Sequence, residues 1–196
     1  MQEPPIENFR NVPLPPPPKS AWPTAIGIIA IVFGAGGMLG GLSGLAGPLF
    51  NQVMAEFSDP SQAAVYEAQQ KYQWWGVGLS GVGLLVAGLL LWGGIEVLKR
   101  RPAGAARIKQ WAVAKIVLTL ALGVFQAVMM PVIFEATQQQ QGGMAMPEGF
   151  VLGMVIATVV VTIAWGAALP VFMLVWFGRE KITAEVQSWG DELGRD

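Results

Sequence analysis

Methionine, glutamate and lysine are the side chains through which this sequence could do chemistry, because it contains neither cysteine nor histidine. Thiol and imidazole chemistry is therefore closed to it: no disulfide framework, structural zinc site, thiol nucleophile, bis-histidine haem or histidine general base can be built. Met144-Ala-Met146 has the spacing at which paired thioethers hold copper(I) or silver(I), soft ions suited to sulfur. Met54, Met129, Met130 and Met154 fall on or near the same predicted side. The competing reading is that methionine fills irregular gaps at helix ends.

Ionisable groups near the apolar runs are few. Glu96 stands three residues before a basic cluster and is predicted to pair with Arg100 at i+4. Lys115 lies just inside an apolar run, and Gln126 is the strongly polar side chain near the middle of one. Proton- or ion-coupled transport leaves such residues inside the membrane, but Glu96 and Lys115 both read as boundary residues. Gln126 reads as an interhelical hydrogen-bond donor or acceptor. No clustered carboxylate pair inside the membrane, phosphate loop or nucleophile–base set occurs, so the expectation is a chain that is not an enzyme and needs no cofactor.

The elements that carry these residues follow from hydropathy. Of 196 residues, 53% are apolar and 13% charged, against about 25% charged in a soluble domain. Four runs reach the roughly 20 apolar residues needed to cross about 30 Å of hydrocarbon: about 21–47, 73–97, 112–134 and 150–178. A helix apolar on every face has lipid for solvent. The predicted fold is all-α, an integral membrane four-helix transmembrane bundle with short outer-surface helices and a disordered Pro-rich N-terminal tail.

The segments between the spans define the organisation. Residues 1–20 form the proline-rich tail, read as a stiff spacer or a ligand for a proline-recognition module. Residues 21–178 form the membrane domain, and 179–196 a C-terminal tail. In the first outer loop, 48–72, Leu49, Phe50, Val53, Met54 and Phe57 recur at helical spacing, and Ser58-Asp59-Pro60 reads as a helix start. Two short surface helices are expected there. The second outer loop, 135–149, is rich in glutamine and glycine and reads as irregular.

The inner loop, 98–111, sets the orientation. Lys99, Arg100, Arg101, Arg107, Lys109 and Lys115 supply half of the chain's twelve basic residues. Arg179 and Lys181 follow span four, and Arg10 and Lys19 precede span one, whereas the two other loops hold Lys71 against five acidic residues. Basic residues beside spans collect on the cytoplasmic side. Both termini are therefore expected inside, in a cytoplasmic membrane. Arg107, Trp111 and Lys115 share one helix face, which places Trp111 as an interfacial anchor and Lys115 as a snorkelling headgroup contact.

Span one is rich in glycine. Gly36, Gly40 and Gly44 form one small-xxx-small ladder and Gly37 and Gly41 another. They serve either packing within the bundle or a homo-oligomer through span one. Partners are thus the lipid bilayer and a second copy or another membrane protein. The net charge of −1 gives no basis for nucleic-acid binding.

A span followed by K-R-R-P-A-G-A-A-R, with W-A-V-A-K-I opening the next span, resembles small bacterial four-helix integral membrane proteins. The resemblance covers roughly residues 74–134 and implies a topology only, with no catalytic residue to carry over. Two roles remain open on sequence: an accessory, scaffold or regulatory subunit, or a component of a small-solute or soft-metal transporter.

Overall fold

The computed structural model describes residues 20–57, 63–140 and 147–193. Five helices follow in order: α1 Trp22–Phe57, α2 Ala63–Leu98, α3 Pro102–Gln140, α4 Glu148–Gly178 and α5 Glu180–Leu193. The first four contain apolar stretches long enough to cross a membrane: Trp22–Met54, Gln69–Leu98, Pro102–Gln138 and Gly149–Gly178. Large apolar side chains face outward all along them. Trp165 is 84% exposed and Leu85 76%, an arrangement that water would penalise and hydrocarbon does not.

The helices are longer than the apolar runs. The helical spacing of Leu49 to Phe57 is real, but these residues continue α1 rather than forming a separate surface helix. Pro48 lies inside α1; it lacks the N–H that would bond to the Gly44 carbonyl, and the helix nevertheless continues to Phe57. Residues 63–72 likewise extend α2, and 135–140 extend α3. Asp59 and Pro60, Met144 and Met146, and the proline-rich segment before Ser20 lie outside the described residues.

Packing is sequential. α1 lies along α2, α2 along α3 and α3 along α4, while α5 touches α3 and α4. α1 and α4 do not pack along one another. They meet at the end that carries the basic hairpin, where Trp22 sets its ring edge-on to Trp176 and Phe177. The buried side chains gather at this same end: Ile26, Ala30, Leu90, Val97, Ile108, Trp111, Met173 and Phe177 among them. The bundle is closed at the basic end and laterally open above it.

The hairpin between α2 and α3 is built from capping rules. Arg100 has φ 53°, in the left-handed region that glycine usually occupies after a helix. Arg101 N–H donates to the Glu96 carbonyl at 2.9 Å and Arg100 N–H to the Val97 carbonyl at 3.0 Å. Together these form a Schellman cap on α2. Pro102 then opens α3 at the first helical position, where its missing N–H costs nothing.

Candidate functional site: a lateral groove and the basic end

The interval between α1 and α4 is a groove of about 690 Å³, lined by all four long helices. That volume lies in the range of small-molecule and lipid-chain sites, about 300–1,000 Å³. Gly36, Gly37, Gly40 and Gly41 supply the α1 wall, and Ser80, Gly83 and Ala87 part of the α2 wall. From α3 come Trp111, Lys115, Leu118, Leu122 and Phe125, and from α4 Trp165, Gly166, Leu169 and Pro170. Val32 and Phe33 complete the α1 wall and Leu79, Val86 and Leu90 stand in the α2 wall, with the glycines leaving space between them.

The glycines of span one divide by face. A Cβ on Gly34 would lie 2.8 Å from the Leu91 backbone nitrogen, and one on Gly41 3.2 Å from Leu84 Cα. A Cβ on Gly37 would press on the Ala87 methyl, and one on Gly44 on the Ser80 side chain. These positions bring the α1 and α2 backbones together. Gly36, Gly40 and Gly47 meet nothing within 4 Å. The Gly36–Gly40–Gly44 ladder is therefore split: its last member packs on α2 and its first two face outward.

Lys115 is half-buried in the groove wall. No acidic residue lines the groove, and no ion pair or hydrogen bond holds its ammonium among the described residues. Thr119 Oγ1 and Gln126 Oε1, further along α3, are buried without a hydrogen-bond partner among those residues. Gly166 lets α4 approach the Thr119 side chain, where a Cβ would come within 2.7 Å of its methyl.

At the closed end the predicted pairing changes partners. Glu96 is 7% exposed and makes its ion pair with Arg107 of α3, not with Arg100. The cap explains the exchange: in the left-handed conformation Arg100 has left the α2 helix, so the i+4 geometry no longer exists. Its guanidinium instead donates to the Ser20 carbonyl at 2.7 Å. Arg107 also lies 4.4 Å from the centre of the Trp92 ring. Trp111 is 4% exposed inside the core, where its ring faces the other helices and not the surroundings of the bundle. Apolar residues on α1, α2 and α4 surround it, and burial outweighs the interfacial preference. Lys99 and Arg101 remain at the hairpin surface, Arg101 exposed.

The C-terminal tail contains an element that the hydropathy reading passes over. α5 is amphipathic: Ile182, Val186 and Trp189 turn toward the core, at i, i+4 and i+7. Trp189 is 3% exposed and stacks on Trp22 at 5.4 Å. Glu185 accepts a hydrogen bond from Trp22 Nε1 at 2.7 Å and another from the Ser20 hydroxyl. The signal was present in the spacing of those three residues. Fourteen residues are too few to span a membrane and carry many charges, so the segment reads as a tail.

Fold and site together define a multi-pass membrane protein: four packed apolar helices, a polar clasp at one end and a lateral groove. No family model matches the chain, and no curated protein or solved structure matches it either. The resemblance of residues 74–134 to small bacterial membrane proteins thus rests on the loop and span pattern alone.

Proposed function

We propose that this chain is a non-enzymatic membrane subunit, an accessory, scaffold or regulatory component, that works by holding a partner in the bilayer against the open side of α1. The observation that carries this reading is the division of the span-one glycines. One face is used up on α2, while Gly36 and Gly40 present bare backbone to the groove. Bare helix backbone gains dispersion contact from whatever lies against it. Chemistry within the bundle has little to work with. Glu96 and Arg107 neutralise each other, and Lys115 has no ion-pair partner among the described residues.

In this reading both termini and the 99–115 hairpin face the cytoplasm of a bacterial cell, because basic residues concentrate there. The chain has no cysteine, so single cysteines report cleanly. Gly40→Cys is expected to crosslink to a second copy or to another protein in native membranes. Leu85→Cys, 76% exposed on α2, is expected to crosslink much less. Equal crosslinking at the two positions overturns the reading. The second reading is a transporter component, favoured by Lys115 in the groove wall and the unpartnered Gln126 oxygen. Solute flux in liposomes made with the purified chain alone would establish it. For soft metals, silver sensitivity should track Met144→Ala and Met146→Ala.

A further inference from the structure

We infer that the groove holds one acyl chain of an anionic phospholipid, with its phosphate on Lys115. The inference rests on the open side of α1 being a binding face, and it adds a lipid chain in the groove beside the partner held there. Three observations carry it. The first is charge. Lys115 is the cation of a groove that contains no acid, and no described side chain neutralises it. A second copy of this chain could not supply the missing anion from its spans. Residues 21–47 and 150–178 carry no charge, and Glu96 is already bound to Arg107.

The second is position. Helical side chains lean toward the N-terminus of their helix, and the N-terminus of α3 is the basic end. A Lys115 side chain that follows this lean reaches toward the basic end, on the side of Arg101 and Lys109, and an anion met there belongs to that leaflet.

The third is length. From Lys115 to Phe125, the last α3 residue in the wall, ten residues rise about 15 Å. That is half of a hydrocarbon core about 30 Å thick, the depth of one leaflet. The apolar wall from Lys115 away from the basic end therefore has the reach of a single acyl chain running to the bilayer midplane, and Trp165 in that wall is exposed.

The test uses the full chain in nanodiscs of phosphatidylcholine. These are doped with either phosphatidylglycerol or phosphatidylcholine carrying a photoactivatable group in the acyl chain. Labelling of Leu118, Leu122, Phe125 and Trp165 by the glycerol lipid should exceed that by the choline lipid by about fivefold. That is the equivalent of about 1 kcal/mol for one basic contact. Lys115→Met should bring the two to parity, while Arg101→Gln, at the exposed hairpin, should leave the preference in place. Gly36→Leu, whose side chain enters open space, should remove groove labelling by both lipids.

Equal labelling of the wild type by the two lipids, or an undiminished preference in Lys115→Met, overturns the inference. If the groove takes no lipid while Gly40→Cys still crosslinks to a protein, the occupant is a helix, and the subunit reading survives without the lipid. If lipid labels as expected but Gly40→Cys crosslinks no more than Leu85→Cys, the lipid site stands and the subunit reading falls.

Discussion

Two glycines separated by a single residue, Gly34 and Gly36, should respond oppositely to the same added methyl group. A Cβ at Gly34 would lie 2.8 Å from the Leu91 backbone nitrogen, 2.9 Å from its Cβ and 3.0 Å from its Cα. Two of those three atoms are backbone and cannot rotate away, so α1 and α2 must separate. Overpacking of this kind costs about 1–3 kcal/mol. At Gly36 the methyl meets nothing within 4 Å. Both substitutions gain the same helix-propensity term, about 0.5–1 kcal/mol for Gly→Ala. Gly36→Ala should therefore be neutral or stabilised by up to about 1 kcal/mol. Gly34→Ala should fall below it by about 1–3 kcal/mol, because the propensity term cancels in the comparison. The assay is reversible unfolding in mild detergent titrated with dodecyl sulfate, followed by tryptophan fluorescence. If the two variants unfold at the same detergent ratio, or in reverse order, the assignment of the α1 faces is wrong and the groove with it.

Three further outcomes are expected. Arg107→Met should destabilise the bundle by about 3 kcal/mol, because it leaves the Glu96 carboxylate, 7% exposed, without its counter-charge. Adding Glu96→Gln should recover most of that loss, as a double-mutant cycle in the same unfolding assay would show. Glu185→Ala should release α5 from Ser20 and Trp22, read as faster amide exchange across 180–193 with α1 to α4 unchanged; unchanged exchange would mean that the Trp189–Trp22 stack alone holds the helix. A cysteine at Arg101, on the hairpin, should be labelled by an impermeant maleimide only after the cells are opened, and labelling in intact cells would reverse the topology.

What the sequence made legible, and what it hid, follows from the solvent that each residue meets. Lipid leaves little ambiguity. A helix facing hydrocarbon must be apolar all round, so the four long helices can be read as runs without charge. Their ends are different, because helix continues into water wherever local propensity allows. Glutamine-rich residues 135–140 extend α3, and Leu49–Phe57 extend α1 beyond a proline. Hydropathy marks the edge of the hydrocarbon and not the last hydrogen bond. The partner of Glu96 was hidden for a related reason. The i+4 rule assumes that the helix persists, and the sequence K-R-R-P gives no glycine to announce a left-handed residue. Arg100 adopts that conformation nonetheless, with its guanidinium on the Ser20 carbonyl. The glycine ladders were plain in sequence, but small-xxx-small spacing cannot say which face meets α2. Only the packed helices separate Gly37 and Gly41 from Gly36 and Gly40.

The distribution of tightness along the bundle bears on how the proposed subunit would operate. The basic end is sealed three times over: by the Schellman-capped hairpin, by the Glu96–Arg107 pair, and by Trp22 wedged among Trp176, Phe177 and Trp189. Above it, among the described residues, α1 and α4 do not pack along one another. Their separation is set by the packing of α1 on α2, α2 on α3 and α3 on α4, with the closed end as a shared base. A ligand that binds the separated arrangement better than the closed one shifts the population by its differential affinity and by nothing else. Lys115 lies in the wall of that groove, so an anion bound there in the separated arrangement alone would supply such a difference. Gly36→Leu, which fills the groove from within, should mimic occupancy: the distance between spin labels on Leu39 and Ile156 should then stop responding to anionic lipid.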